Sequence, residues 1–388
     1  VPRKIKINLE YLRPNSSFIY PLYSEEGKLI LEARMPLTPQ KIKSIIDDHG
    51  SIVYYTDTGE KPVIPAYRMK TAYNKSKEIM NEIFKTDKLT RSTYREAEKV
   101  IETIVSDLTS TEIDTISLLK DLKSHDEYLY NHSVNVGILS TVFAIKLSMF
   151  SPEEIKFIAL GSYLHDIGST KIDRQLLNKE GRYEVSELQK MKRHPQLGYE
   201  ILKGIDRISP VVLQSVLFHH EKLNQKGYYQ LPYETLPHFP KIVSVCDIYD
   251  ALTSKRPYRG PFSSSSALKA LVNSIDVHFD YELISAFINR VAPLLNHSQS
   301  FYSANEFCEL NSKELAIITE IGMKDYLRPK VRVFFRFMRQ GNKLSVSYYK
   351  SPFNIDLQDD RNRKITKMIN NQEQINAIKK RLEERKFI

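Results

Sequence analysis

Cysteine is nearly missing from this chain: Cys246 and Cys308 are its only two. They lie far apart and form no CxxC pair, which excludes a disulfide framework and fits free thiols in a reducing, cytoplasmic setting. No apolar run approaches the length of a membrane span, so no span is expected. No charged-then-apolar signal segment opens the chain, and position 1 is Val rather than Met, to which no functional reading attaches. Internal repeats and low-complexity stretches are absent as well.

What is present describes a folded protein. Its 388 residues leave room for two or three domains. Charged residues make up 27% of the chain, as in ordinary globular proteins. Lys and Arg total 57 against 47 Asp and Glu, a net charge of +10. Such an excess favours phosphate-bearing ligands, nucleic acid or anionic membrane. The charge is scattered, so it decides little.

Patterning divides the chain into three parts. Residues 1–64 read as a small N-terminal α+β accessory unit. It has a hairpin around Glu26-Gly27, an amphipathic helix over Thr38 to His49 and a strand over Ser51 to Tyr55. Pro62 and Pro65 mark a linker. Residues 65–300 are helical, with lead-in helices before about 124. Ser151-Pro152-Glu153-Glu154 is a capping box, expected to start the helix carrying His165 and Asp166. Ser209-Pro210 starts a helix running to His219-His220-Glu221, and Pro240 precedes a helix over Ile242 to Thr253. Residues 301–388 read as a β-rich module. Strands are expected over Ala316 to Ile321, Val331 to Met338 and Leu344 to Tyr349, with a turn at Gly341-Asn342 and a last helix over Gln372 to Lys386. The fold class is mainly α, an all-helical bundle with smaller flanking units.

The chemistry-bearing residues gather in the helical part. Leu164-His165-Asp166-Ile167-Gly168 places a histidine beside an aspartate where an apolar helical run stops. His132, His194, the pair His219-His220 and Asp247 fall on helix faces or near helix ends. Inward-facing polar side chains of a helical bundle are a recognised way to build a metal pocket. A hydrolytic metal site needs imidazole and carboxylate ligands with a position left for water, and a second metal is usually held by a shared carboxylate. Asp166 is well placed for that sharing. Asp247 and Asp250, three apart, share a helix face. Any one of these histidines alone is more often a hydrogen-bonded or surface residue; the joint pattern is what points to a site.

In order and spacing these segments resemble the HD-GYP family, a branch of the HD metal-dependent phosphohydrolases. The segments are Asp126 to Ser133, Leu164 to Gly168, Met191 to Pro195 with Gly198, His219-His220-Glu221, and Val245 to Ser254 running on to Arg256-Pro257-Tyr258-Arg259. The match spans about residues 125–300 and implies an HD-type helical bundle. It further implies hydrolysis of cyclic di-GMP to pGpG, GMP or both, by a metal-activated water at a two-metal site. His132, His165, Asp166 and Asp247 would hold one metal, and His194, His219 and His220 a second, with Asp166 bridging. His165 and Asp166 would be the catalytic pair. Arg256, Arg259, Lys171 and Tyr228 would meet the substrate. Tyr128 stands where three-metal members carry glutamate, so two divalent ions, iron or manganese, are expected. Partners left open are a homodimer and a signalling protein, with no nucleic-acid polymer. Alternatives from other classes are a non-catalytic cyclic di-GMP receptor and an HD hydrolase of another nucleotide. Three departures fall on the substrate side. Ser169 stands where the family has lysine, with Lys171 two positions on. Asn224 replaces an aspartate, and Tyr229 replaces the proline of the family's name.

Overall fold

The computed structural model describes residues 3–9, 16–17, 21–32, 35–57, 66–110, 128–179, 181–255, 260–295, 302–322, 325–340 and 343–388. The expected linker at Pro62 and Pro65, the turn at Gly341-Asn342, and both Arg256 and Arg259 lie outside the described residues. The chain separates into two compact units, residues 1–75 with 102–122 and residues 76–101 with 123–388.

In the first unit the strands are β1 (Arg3–Asn8), β2 (Ser16–Ser17), β3 (Leu22–Tyr23), β4 (Leu29–Leu31) and β5 (Pro36–Leu37), then helix α1 (Pro39–His49) and β6 (Ile52–Asp57). A four-stranded sheet runs β1-β6-β3-β4, and β2 pairs with β5. The β3–β4 turn places Gly27 at φ +87°, a conformation that glycine adopts without a Cβ penalty. Thr38 caps α1 by accepting from the Lys41 amide at 3.2 Å. Leu9, Leu22, Leu31, Leu37, Ile45 and Val53 form the unit's core.

Helices α2 (Ala66–Thr86) and α3 (Arg91–Ser110) contribute residues to both units. The second unit continues with α4 (Tyr128–Leu147), α5 (Pro152–Tyr163), a 3-10 turn (Ile167–Lys171), α6 (Arg174–Leu177), α7 (Val185–Met191), α8 (His194–Lys203), α9 (Pro210–Phe218) and α10 (His238–Thr253). α11 (Ser264–Val272), α12 (Tyr281–Arg290) and α13 (Ala292–Leu295) complete the bundle. From Asn131 to Ala144 every residue of α4 is buried. A helix covered on all sides has no solvated face on which to place its polar residues, so they must find partners inside. α4 packs on α5 and α10, and α9 packs on α5 and α8.

Two helix limits differ from the sequence reading. The capping box at Ser151 and Glu154 forms in both directions, yet α5 ends at Tyr163 with Leu164 as its C-cap. His165 and Asp166 therefore sit in the turn beyond the helix. There the His165 ring bonds the orphan carbonyl of Ser162 at 2.7 Å. α10 begins at His238, before Pro240 rather than after it. Proline is tolerated in a first turn because the amide it lacks has no intrahelical partner.

The C-terminal part is a five-stranded antiparallel sheet of β7 (Phe307–Leu310), β8 (Glu314–Glu320), β9 (Lys330–Gln340), β10 (Lys343–Asp356) and β11 (Ile365–Met368), ordered β10-β9-β8-β7-β11. In register, Phe335 lies opposite both Leu315 and Tyr348. Helix α14 (Gln372–Glu384), capped by Asn371, lays Ile378 and Leu382 against Phe307, Leu315, Phe334 and Phe335. Asn289 of α12 joins bundle to sheet, donating to Asp325 and accepting from the Tyr326 amide, both at 2.8 Å.

Candidate metal centre

Two clusters of ligand-type atoms lie in the second unit. Asp166, His194, His219 and His220 form one, and His132, His165 and Asp247 the other, the atoms within each cluster lying within 4.8 Å of one another. Asp166 faces both. Its Oδ1 is 3.1 Å from His194 Nε2 and 3.9 Å from His219 Nε2. Its Oδ2 is 3.6 Å from His165 Nε2 and 4.0 Å from His132 Nε2. Asp247 Oδ1 is 3.2 Å from His132 Nε2.

The outer nitrogens explain why the inner ones converge. Nδ1 of His165, His194 and His219 lies 2.7, 2.8 and 2.8 Å from the carbonyl oxygens of Ser162, Met191 and Val216. A carbonyl only accepts, so each Nδ1 carries its hydrogen. His132 does the same toward Asp250 Oδ2 at 2.8 Å, and Asn135 holds Asp250 Oδ1 at 3.0 Å. With Nδ1 donating outward, Nε2 is left to present its lone pair inward, the arrangement that second-shell acceptors impose on metal-ligating histidines. His165 Nε2 is buried with no hydrogen-bond partner. Nε2 of His194 and Nε2 of His219 lie 3.3 Å apart, two acceptors facing one place. Seven nitrogen and oxygen donors converging in this way fit divalent cations.

The electrostatics agree. Burial opposes the charged form of Asp166, yet the neighbouring His165 and the hydrogen bond with His194 hold its carboxyl well below the usual range. Burial also works against a charged His132, but hydrogen bonds to Asp247 and Asp250 outweigh it and raise the ring to about 10. His219 and His220 are pushed well below the ordinary histidine value, by burial first and then by neighbouring histidines. Burial opposes a charged His194 as well, but its hydrogen bond to Asp166 outweighs it and raises that ring too. Without a metal the pocket therefore mixes anionic carboxylates with proton-holding and neutral imidazoles, and metal ligation requires His132 and His194 to give up their protons.

Glycine lets these segments meet. A Cβ on Gly168 would lie 1.9 Å from the His194 carbonyl oxygen and 2.4 Å from the Gly198 nitrogen. Only glycine allows the 3-10 turn after Asp166 to rest on the start of α8, where His194 sits. At the rim, buried Glu221 accepts from the amides of Tyr229 at 2.7 Å and Leu231 at 2.8 Å. A Cβ on Gly227 would lie 2.6 Å from Glu221 Oε1, so glycine is needed there too. The loop held this way stacks Tyr228 on His220, ring centres 4.4 Å apart.

The structure thus gathers all seven ligand-type residues named from sequence, with Tyr228 beside them. It does not gather Lys171, whose ammonium bonds the Asp87 carbonyl at 2.7 Å. Sequence reasoning missed Asn135, named Glu221 only within the His219-His220-Glu221 segment and gave it no role, and noted Asp250 only as a neighbour on one helix face. The signal of Asn135 and Asp250 was weak, since a polar residue one turn from a ligand resembles any other helical polar residue.

The sequence model of the HD domain matches residues 117–283. Over 221 residues the chain is 33% identical to the cyclic di-GMP phosphodiesterase PA4108 of Pseudomonas aeruginosa, covering 57% of this chain and 51% of that protein. It is 35% identical over 157 residues to the cyclic di-GMP phosphodiesterase response regulator RpfG of Xanthomonas campestris, covering 40% and 42% respectively. Among solved structures, Bd1817 of Bdellovibrio bacteriovorus is similar at 19% identity and a TM-score of 0.48, covering 73% of this chain and 98% of that one. The chain spans about half the length or less of the curated relatives it matches.

Proposed function

We propose that this chain, whose residues 117–283 match the HD domain model, is of the HD-GYP type and is a metal-dependent phosphodiesterase hydrolysing cyclic di-GMP to pGpG, GMP or both. One observation carries this reading beyond family likeness. Four histidines each donate Nδ1–H outward, so their Nε2 atoms meet around a carboxylate whose two oxygens face different clusters.

In this reading His132, His165 and Asp247 would hold one divalent ion, iron or manganese, and His194, His219 and His220 a second, with Asp166 shared between them. Bound ions of this kind polarise a phosphoryl oxygen and lower the pKa of water. The chain's residues do the rest. Asp250 and the carbonyls of Ser162, Met191 and Val216 keep the imidazoles oriented, Nδ1 outward and Nε2 inward. Glu221 fixes the loop bearing Tyr228, which forms a wall of the pocket where a substrate would lie.

Residues 1–64, 65–300 and 301–388 are proposed as accessory unit, phosphohydrolase domain and β-rich module, a division by role. No described helix is long and apolar enough to cross a membrane, and both cysteines are free and buried. These two features support the reading of a cytoplasmic protein. The test is chromatography of products after incubating cyclic di-GMP with metal-loaded protein. Release of pGpG or GMP that stops on chelation is expected, and binding without cleavage would overturn the reading.

A further inference from the structure

Between Glu221 and Gln230 the chain forms neither helix nor strand. Ordering such a loop costs conformational entropy, so each half of it needs anchors. Glu221 holds the second half through the amides of Tyr229 and Leu231. The first half rests on a different segment, the turn between α11 and α12. There the Leu223 N–H donates to the His278 carbonyl at 2.9 Å and the Asn224 N–H to the Val277 carbonyl at 3.1 Å. That turn is itself fixed, because Ile275 and Phe279 on either side of it are buried.

Between the two sets of anchors the chain must reverse. Gln225 takes φ +57°, a region that residues with a Cβ rarely adopt, and its N–H donates to the Lys222 carbonyl at 2.9 Å. Asn224 Oδ1 accepts from the Lys226 N–H at 3.0 Å and so spans Gln225. A side chain bonding the backbone two residues on is how Asn and Asp stabilise a turn. Just beyond, Gly227 packs on Glu221 and Tyr228 reaches His220. Aspartate offers the same acceptor, so Asn224 keeps the oxygen of the residue it replaces and loses only the charge.

We propose that Asn224 is a positioning residue for the dinucleotide substrate: its side-chain oxygen serves the loop backbone, and with the Val277 and His278 carbonyls it sets where the Tyr228 ring meets that substrate. This rests on the phosphodiesterase reading above. At position 224 the acceptor therefore matters and the charge does not.

The test uses the full chain loaded with manganese, with cyclic di-GMP as probe, read by turnover, by calorimetry and by hydrogen exchange over residues 224–231. Asn224→Ala should raise KM and Kd about fivefold, hold kcat within about twofold and speed exchange across the loop. Asn224→Asp should bring all of these back to within about twofold of wild type. Metal content should not change in either variant. Unchanged KM and Kd in Asn224→Ala, whatever the exchange shows, would overturn the assignment and leave the phosphodiesterase standing. So would a Kd raised about tenfold or more in Asn224→Asp with little change in Asn224→Ala, the pattern of an oxygen facing the nucleotide phosphates. Wild-type binding without cleavage, weakened in Asn224→Ala and restored in Asn224→Asp, would support Asn224 and overturn the phosphodiesterase. Neither binding nor cleavage would overturn both.

Discussion

Two carboxylates in one compact unit, Glu314 fully buried and Asp166 partly so, contrast a structural staple with the proposed metal site. Glu314, at the start of β8, is fully buried and takes Arg363 Nε at 2.6 Å and Nη2 at 3.2 Å. Ser312 and Tyr349 also bond it, and Arg336 lies 3.6 Å away. Every partner is a permanent donor. Burial alone would raise this carboxyl, but Arg363 and the two hydroxyls bring it down to about 2. Asp166 is equally anionic, yet its partners are imidazoles able to give up a proton in exchange for a cation. A buried charge with fixed donors is already satisfied. One ringed by titratable donors is satisfied only conditionally, and in the proposed function the condition is a metal.

The largest expected effect would break this contrast at its metal side. Asp166→Ala removes the oxygens shared by both clusters, and kcat should fall by about a thousandfold or more, with loss of bound metal. Near-normal turnover in that variant would mean Asp166 is another staple. Asp250→Asn is milder, because it alters only the acceptor that orients His132. Metal affinity should drop about 10- to 100-fold, measured by competition with a chelating dye.

The opposite behaviour is expected of Glu314→Gln. Turnover per folded molecule should hold, while stability falls by about 2 kcal/mol once screening of the partly exposed arginines is allowed for. That corresponds to a Tm lower by about 4–8 °C. A carboxylate depressed on folding stabilises above its unfolded value and loses that contribution as pH falls. Between the ordinary 4.5 and about 2, therefore, the wild-type advantage over the variant should vanish in calorimetric scans. An advantage that persists below this window would remove the fixed ion pair from the comparison.

Glu221 sharpens the boundary, being a fixed carboxylate at the edge of the reactive pocket. Proline at position 229 has no amide to donate, so Tyr229→Pro removes one of the two bonds that hold the loop. KM for cyclic di-GMP should rise about three- to tenfold. Tyr229→Phe keeps the amide and loses only the hydroxyl bond to Gln196, so a change within about twofold is expected. Equal effects in both variants would show the ring, not the amide, to be the anchor.

Much of this site was legible in the sequence because ligand chemistry restricts residue type. His165-Asp166 and His219-His220 stand out in any frame, and the capping box at Ser151 placed the helix leading to the first pair. The fixed carboxylate was not legible. Glu314 begins a strand, and its arginine lies 49 residues away with nothing in the local pattern joining them. Strands β7 and β11 escaped for a related reason. Four residues each, they alternate too briefly to signal, and their pairing with one another depends on a long-range register.

Metal counting on anaerobically purified protein, in parallel with cyclic di-GMP turnover, tests the central claim most directly. Two divalent ions per chain, turnover lost on chelation and restored by iron or manganese, and at most one ion in Asp166→Ala are the predicted results. Folded protein that holds no metal, or turnover indifferent to chelation, would contradict the account.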